Sequence, residues 1–286
     1  MSQNTKIIVC YHKDFNILEN EVLLPIHVGK ANHPNVLENM QGDNTGDNIS
    51  HKNDSYCELT GMYWLWKNIK ADNYGLFHYR RLLDLKNRYK GENYPSKINI
   101  NDFNSDIINK EMEKFDIILP KLSKFKISLY DYYKRDHHIK DLEIIKNIIR
   151  EKYPNYEQAT EKALNAKEGF FCNMFIMKKE IFNEYCTWLF DILETAETLI
   201  DTTDYDSYQK RVLGFLSERM LSIFIEYKKQ TCPNLKIREV NTIYLNPEPS
   251  FKINFLIGQY IKFPDRHYLE LFKIKFLKKA GVKNGK

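Results

Sequence analysis

The chain has 286 residues, of which 43% are hydrophobic and 14% aromatic, and its formal net charge is +5. This length and apolar content are enough for one large domain with a full core, and they exclude an intrinsically disordered chain. No segment approaches the roughly 20 apolar residues of a membrane span. The first apolar run, Ile7 to Cys10, is too short for a signal peptide, so we expect a cytoplasmic protein.

The five cysteines form no CxxC pair and lie within apolar patterns. Such residues are more often small buried hydrophobes than zinc ligands or disulfide partners, especially where thiols stay reduced. The sequence therefore assigns them no chemistry.

Positive charge is concentrated at the C-terminal end. Residues 252–286 contain nine Lys or Arg against two acids, interleaved with aromatic and aliphatic side chains, which leaves the preceding residues slightly negative. This pattern suits the headgroup zone of an anionic membrane, and equally a basic helix packed on the domain. We expect a domain at 1–250, a basic amphipathic helical tail at 251–286, and peripheral association with the inner face of the cell membrane.

Strands and helices alternate along the chain. Short apolar runs predict strands at 6–10, 74–79 and 115–119, and an interrupted apolar run covers 170–177. Helical spacing of apolar residues predicts helices at 56–69, 139–153, 179–199 and 206–227, and 86–105 has the composition of a mobile surface insertion. Strands separated by helices predict an α/β fold with a mostly parallel, doubly wound sheet flanked by helices.

Polar and cationic residues follow the second predicted strand, where α/β folds bind ligands. They are His78, Tyr79, Arg80 and Arg81. The two arginines can form forked hydrogen bonds with phosphate, and His78 can contact a leaving oxygen. The preceding loop offers groups for sugar hydroxyls or a cation, at Asp43, Asp47, Asn48 and Asn53. A nucleotide-diphosphate sugar presents the matching combination of groups, whereas dinucleotide, phosphate-loop, GxSxG and HExxH motifs are missing from the sequence.

Each part also has a purely structural interpretation. Either arginine suits a salt bridge to Asp84 or Glu58, and a histidine inside an apolar strand is more often a satisfied core residue. The joint placement of these residues at one strand end is what favours a site.

The runs GDNIS, YCELTGMYWLWKN and GLFHYRR resemble the signature of a bacterial family of capsular and exopolysaccharide biosynthesis glycosyltransferases, a domain of unknown function. The later runs CNMFIMKKEIFNEYCTWLFDIL and YQKRVLGFLSERML resemble the second half of the same family, so the resemblance extends from residue 6 to about 244. It implies a single nucleotide-diphosphosugar transferase domain of the GT-A-like type, and thus a hexosyltransferase.

The resemblance also implies donor contacts. Tyr11, His12 and Lys13 would meet the base and ribose, and the 46–53 loop would meet the nucleotide or donor sugar through Asp47, Asn48, Ser50 and Asn53. Transferases of this fold usually carry an Asp-x-Asp pair for a divalent cation where this chain reads His78, Tyr79, Arg80. Dependence on Mn²⁺ or Mg²⁺ is therefore left open, because Arg80 and Arg81 can neutralise the diphosphate directly.

Catalysis needs a carboxylate that deprotonates the acceptor hydroxyl. The segment DYDSYQKR resembles the acidic helix start that supplies this base in related transferases, with Arg211 beside the sugar. Asp206 is the first candidate and Glu218 the second, with an internal ion pair to Arg219 or Arg211 as the alternative for Glu218. Asn173, a polar residue in an apolar run, is expected to touch the sugar, because burying its amide unpaired costs about 1 to 3 kcal/mol.

The expected function is transfer of a hexose, such as galactose, from a UDP-sugar to a lipid-linked oligosaccharide in capsule, O-antigen or exopolysaccharide synthesis. Two alternatives stay open. A nucleic-acid-binding protein would use the basic aromatic tail but lacks a recognisable motif, so no nucleic-acid partner is expected. A non-catalytic carbohydrate-binding protein would explain the aromatic residues but not the clustered His, Arg and Asp.

Overall fold

The computed structural model describes residues 3–89 and 98–245, and the predicted tail at 251–286 lies outside the described residues. The described strands are β1 (Thr5–Tyr11), β2 (Leu23–His27), β3 (Asn73–His78), β4 (Arg81–Leu83), β5 (Ile117–Pro120), β6 (Ser123–Lys124), β7 (Glu168–Gly169), β8 (Phe175–Lys178), β9 (Ile237–Val240) and β10 (Thr242–Tyr244). The described α-helices are α1 (Asn53–Tyr56), α2 (Leu59–Asn68), α3 (Ser105–Met112), α4 (Leu129–Asp136), α5 (Ile139–Lys152), α6 (Glu157–Asn165), α7 (Lys179–Leu199) and α8 (Val212–Thr231).

The central sheet has the strand order β2-β1-β3-β8-β5-β9 within the described residues. Five of these six strands run in one direction, and β8 alone runs antiparallel between β3 and β5. A short antiparallel extension, β4 with β10, continues from the end of β3. The predicted α/β class with a mostly parallel sheet is confirmed.

Two hydrophobic clusters cover the two faces of the sheet. The larger packs α2, α5, α7 and α8 against the sheet, and the smaller packs α3 and the Ile100–Phe103 turn on the opposite face. Phe103 is only 1% exposed, so this end of the predicted surface insertion belongs to the core. Helices on both faces leave the strand ends as the accessible edge of the sheet.

Periodicity predicted the long elements well and the short ones poorly. The helix α7 begins and ends at the predicted residues, while α8 begins at Val212, six residues after its predicted start. The strand β2 was not predicted, and its LLPIH sequence contains a proline, a residue that sheets admit at their edges. Pro25 is nevertheless buried at its pairing position opposite Val9 in β1.

The topology brings several chain segments to one edge of the sheet. The strands β1, β2, β3 and β5 all end at this edge, and antiparallel β8 begins there. Side chains that follow these four parallel strands therefore meet side chains that precede β8. Among the described helices, none is both long and apolar enough to span a bilayer.

Candidate active site

An open cleft of about 800 Å³ lies at this edge of the sheet. Its lining combines imidazole, guanidinium, carboxyl and thiol groups. The lining includes Cys10, His12, His27, Asn53, Cys57, Glu58, His78, Tyr79, Arg80, Arg81, Cys172, Lys210, Arg211 and Glu218.

The turn between β3 and β4 holds the first group of cations. Tyr79 is 3% exposed, and its ring lies below the Arg80 guanidinium at 4.8 Å and the Lys13 ammonium at 5.9 Å. The His12 ring meets the same ring edge-on at 5.1 Å. Tyr79 therefore serves as a buried support on which three polar groups, one from the turn and two from the end of β1, are gathered.

The second arginine of the turn is directed toward the carboxylates. Arg81 is half-buried, and the electrostatic influence of Cys172, Tyr244, Glu218 and Glu58 raises its guanidinium pKa despite burial. It remains a fixed positive charge on the cleft wall at any physiological pH.

His78 is locked in one tautomer by its neighbour. Its Nε2 lies 2.5 Å from the carbonyl oxygen of Cys172, and since a carbonyl only accepts, Nε2 carries the hydrogen. Burial and the adjacent charge of Arg81 lower the pKa of His78 to about 4. The ring is therefore neutral at neutral pH, with Nδ1 as an acceptor.

Two carboxylates, Glu58 and Glu218, share the cleft. Glu218 Oε1 accepts from the Cys172 amide at 3.0 Å, and its Oε2 accepts from the buried Arg219 guanidinium at 3.1 Å. Burial raises the pKa of both carboxyl groups, and the charge of Glu58 raises that of Glu218 further. A held carboxylate with a raised pKa has the properties of a general base.

Asn173 connects these groups from below the cleft. Its Nδ2 donates to Glu58 Oε1 at 2.9 Å and to Ser217 Oγ at 2.8 Å. Ser217 uses its own proton on the Gly214 carbonyl, so the amide orientation of Asn173 is fixed by the network. Asn173 is fully buried and adopts φ +49°, a left-handed conformation that Asn tolerates better than most residues. The structure therefore places Asn173 under the cleft as a support for Glu58, and not at its surface.

Arg211 reaches the same region from the start of α8. Its Nε donates to Cys57 Sγ at 3.2 Å, and burial raises the pKa of that thiol to about 12. Cys172 also has its pKa raised to about 12, so both thiols stay protonated. All five cysteines are free, and only Cys10 and Cys186 are buried as predicted. Cys10, Cys57 and Cys172 line the cleft.

Tyr11 is fully buried and does not line the cleft. Its hydroxyl accepts from the Leu18 amide at 2.9 Å and donates to the Asn16 carbonyl at 3.0 Å. Tyr11 therefore orders the loop that carries His12 and Lys13 and has no hydroxyl left for a ribose.

The 46–53 loop contributes less to the cleft than the sequence predicts. Asp47 and Asn48 bond within their own loop and its neighbour α2, and Ser50 donates to the buried carboxylate of Asp43 at 2.5 Å. Asp43 also accepts from the Gly29 and Lys30 amides, so its oxygens are used internally and the expectation that it binds sugar was wrong. Of the loop's four predicted contacts, Asn53 lines the cleft.

Asp206 lies outside the cleft lining, although its neighbours Ser207, Lys210 and Arg211 belong to it. Its exposed carboxylate accepts from the Gln209 amide at 2.7 Å, at the start of the short helix Gln209–Arg211. Glu218, the second candidate, is the one that reaches the cleft.

Sequence reasoning missed Glu58 as a site residue and treated it only as a salt-bridge partner. It precedes α2 by one residue, directly after Cys57, which adopts φ +52°. This unusual backbone conformation directs the chain into the cleft. The spacing of residues in the sequence does not predict this conformation.

The donor set of the turn does not fit a divalent cation. Where metal-dependent transferases of this fold carry two aspartates, the chain places imidazole, phenol and guanidinium groups. Across residues 3–89 and 98–245, no three His, Cys, Asp or Glu side chains are grouped closely enough to hold a metal ion.

The fold resembles the apo structure of the WbbM bifunctional glycosyltransferase with a TM-score of 0.79 and 35% sequence identity. The match covers 85% of this chain and 45% of that one, so the chain spans less than half the length of its solved relative. No curated protein matches the chain. The fold is thus an α/β domain similar to part of a glycosyltransferase, with an open cleft at the edge of its sheet.

Residues 6–230 match the family described as a domain of unknown function, DUF4422, and the chain belongs to that family. The expected membership in a domain-of-unknown-function family is thereby confirmed, and the structural match supports its expected relation to glycosyltransferases. Its link to capsule synthesis stays a prediction.

Proposed function

We propose that the protein is a glycosyltransferase that moves a hexose from a UDP-sugar to a lipid-linked oligosaccharide in bacterial surface-polysaccharide synthesis. The observation that carries the proposal is the meeting of Arg80 and Arg81 with Glu58 and Glu218 in one cleft. A diphosphate leaving group needs cations, and an acceptor hydroxyl needs a base, and this cleft supplies both.

The cations divide the donor contacts between two sides of the cleft. Arg80 and Arg81 on the β3–β4 turn, with Lys210 and Arg211 before α8, provide four positive charges along its lining. Guanidinium groups bind phosphate oxygens through paired hydrogen bonds, and here they neutralise the charge that develops as the bond from C1 to the phosphate oxygen breaks.

The base is Glu218. Its two hydrogen bonds fix its orientation, and Arg219 favours its ionised form while burial makes it more basic than a surface glutamate. In the reaction its carboxylate takes the proton of the acceptor hydroxyl as that oxygen bonds to C1 of the sugar. Arg211 and Arg81 oppose the rise that burial causes in the pKa of Glu58, so Glu58 and these two cations stabilise one another's charge.

The nucleoside lies beside the ends of β1 and β2 in this proposal. His12 follows β1 with part of its side chain exposed and its ring edge packed on Tyr79, and this partial burial together with the charges of Lys13 and Arg80 lowers its pKa to about 4. A neutral imidazole there offers both a donor and an acceptor to a base or ribose without adding charge.

The test is calorimetric titration of the full chain with UDP, GDP and their sugar conjugates, with and without Mn²⁺. Binding of one nucleotide at micromolar concentration supports the proposal, and Arg80→Ala should weaken it about tenfold or more because a charged hydrogen bond is lost. The matched control is Arg150→Ala, an exposed arginine paired with Glu157 outside the cleft. The affinity should not depend on Mn²⁺. Absence of binding by every nucleotide would overturn the proposal.

Peripheral membrane binding belongs to the same proposal and rests on the sequence of residues 252–286 alone. Removing these residues should abolish sedimentation of the protein with anionic liposomes while donor binding is retained. Unchanged sedimentation would refute the membrane role and leave the transferase activity untouched.

A further inference from the structure

Three aromatic rings form a second surface beside the cleft, outside its cationic part. Phe125 follows β6, Phe171 follows β7, and Tyr132 belongs to α4. Their ring centroids lie 4.7 to 5.8 Å apart in all three pairings, and each side chain is partly exposed. These three residues are called the aromatic patch.

The patch is connected to the carboxylate Glu218 through two short paths. Phe171 directly precedes Cys172, whose amide donates to Glu218. The Arg219 guanidinium pairs with Glu218 and also lies 5.0 Å from the Phe171 ring centroid and 5.8 Å from that of Tyr132. Arg219 is 2% exposed and its Nε has no hydrogen-bond partner, so much of its environment consists of ring faces.

We propose that the aromatic patch binds a pyranose ring of the acceptor saccharide and thereby presents its hydroxyl to Glu218. This inference rests on the proposed function. One face of a pyranose is lined by C–H groups, and removing that face from water against aromatic rings is favourable. The patch adjoins Glu218 through Cys172 and Arg219, and the Arg80 guanidinium lies over Tyr79 in the β3–β4 turn.

The surroundings of the patch favour a sugar over an apolar chain. Exposed Arg135 stacks over Tyr132 at 4.4 Å and pairs with Asp136 at 2.9 Å, and Ser128 bonds Asp131 in the same helix. A cluster of mutually tilted rings bordered by hydroxyl and carboxylate groups, with a guanidinium over one ring, matches a ligand that is apolar on its face and polar around its edge. A lipid tail would place those charged groups against hydrocarbon.

Saturation-transfer NMR on the full chain tests the inference with methyl glucoside, methyl galactoside, lactose, maltose and octyl glucoside as probes. At least one probe should receive saturation on its ring C–H protons, and Phe171→Leu should weaken its binding about tenfold, since leucine keeps apolar volume but removes the aromatic face. The control is Trp66→Leu, a partly exposed ring stacked on Phe190 outside the cleft lining. Trp66→Leu should bind the glycoside probes with the wild-type affinity.

Three results would overturn the inference: no saturation on any probe, equal binding by Phe171→Leu, or saturation confined to the alkyl chain of octyl glucoside. Failure of the donor site is a separate outcome. Glycoside binding that needs Phe171 in a protein that binds no nucleotide would retain the aromatic patch and remove the transferase proposal. Titration of Phe171→Leu with UDP should give the wild-type affinity, which shows that the substitution leaves the fold and donor side intact.

Discussion

The carboxylate of Glu218 accepts a hydrogen bond from the backbone amide of Cys172 at 3.0 Å. This contact joins α8 to the segment that enters β8, and the two bonded residues are 46 positions apart in sequence. It places a carboxylate with a raised pKa at the sheet edge where the arginines of the β3–β4 turn also lie.

Glu218→Gln should abolish sugar transfer while the donor still binds. Glutamine retains the size of the side chain and an oxygen for the Cys172 amide, but it cannot take a proton. General-base catalysis contributes about 10² to 10⁴ in rate, so a loss of that size in single-turnover transfer is expected. Glu226→Gln is the matched control, because Glu226 lies on the same helix and pairs with Lys162 away from the cleft. Equal rates for wild type and Glu218→Gln would exclude Glu218 as the base.

Arg81→Lys should weaken UDP binding about tenfold, although the charge is retained, because lysine cannot form the paired hydrogen bonds of a guanidinium. Arg81→Ala should weaken it further. Isothermal titration measures both constants directly. Wild-type affinity in Arg81→Lys would show that the diphosphate needs only charge at this position, or lies elsewhere.

Asn173→Ala should lower the free energy of unfolding by roughly 2 to 3 kcal/mol, because Glu58 loses its hydrogen-bond partner and alanine is strained at φ +49°. Asn173→Gly should cost less, since glycine tolerates this backbone. Urea denaturation followed by circular dichroism gives the values. Asn147→Ala, at an exposed position of α5, should fall within about 0.5 kcal/mol of wild type. If Asn173→Ala matched this control, the buried network would have no structural role.

His78 should make the fold sensitive to acid. Its folded pKa of about 4 lies below the ordinary histidine value of 6.5, so below pH 6.5 the unfolded chain binds the proton more readily than the folded one. Stability from the neutral ring is complete above pH 6.5 and is lost as the pH falls toward 4. The loss amounts to roughly 3 kcal/mol for a shift of this size.

The matched variant is His78→Gln, which can still donate to the Cys172 carbonyl but does not titrate. The raised pKa values of Glu58 and Glu218 act in the opposite direction, and comparing wild type with the variant cancels their effect. Chemical denaturation at pH 7.5 and pH 4.5 should therefore show the wild type losing more stability than His78→Gln. Parallel losses would contradict a depressed pKa at His78.

The sequence predicted the elements whose burial pattern is long and regular. The helix α7 and the strands β1 and β3 fall close to their predicted bounds, since each buries a continuous stripe or run. The two-residue strands β6 and β7 exist only because distant segments pair with each other, which no local pattern reveals.

The candidate site was predicted best where its residues are adjacent in the sequence. The β3–β4 turn was identified because four consecutive residues break an apolar run. Glu58 and the aromatic patch come together through tertiary packing, and Tyr11 was misassigned because its hydroxyl is used by Leu18 and Asn16, a contact that depends on the fold of the following loop. The sequence shows which polar groups are present, whereas the fold determines which hydrogen-bond partners those groups have.

A crystal structure of the protein with UDP would test the central claim most directly. We expect diphosphate oxygens within hydrogen-bond distance of the Arg80 and Arg81 guanidinium groups, and the Glu218 carboxylate facing the side on which the sugar is attached. A diphosphate bound away from the β3–β4 turn, or held there through a metal ion and not by the arginines, would contradict it.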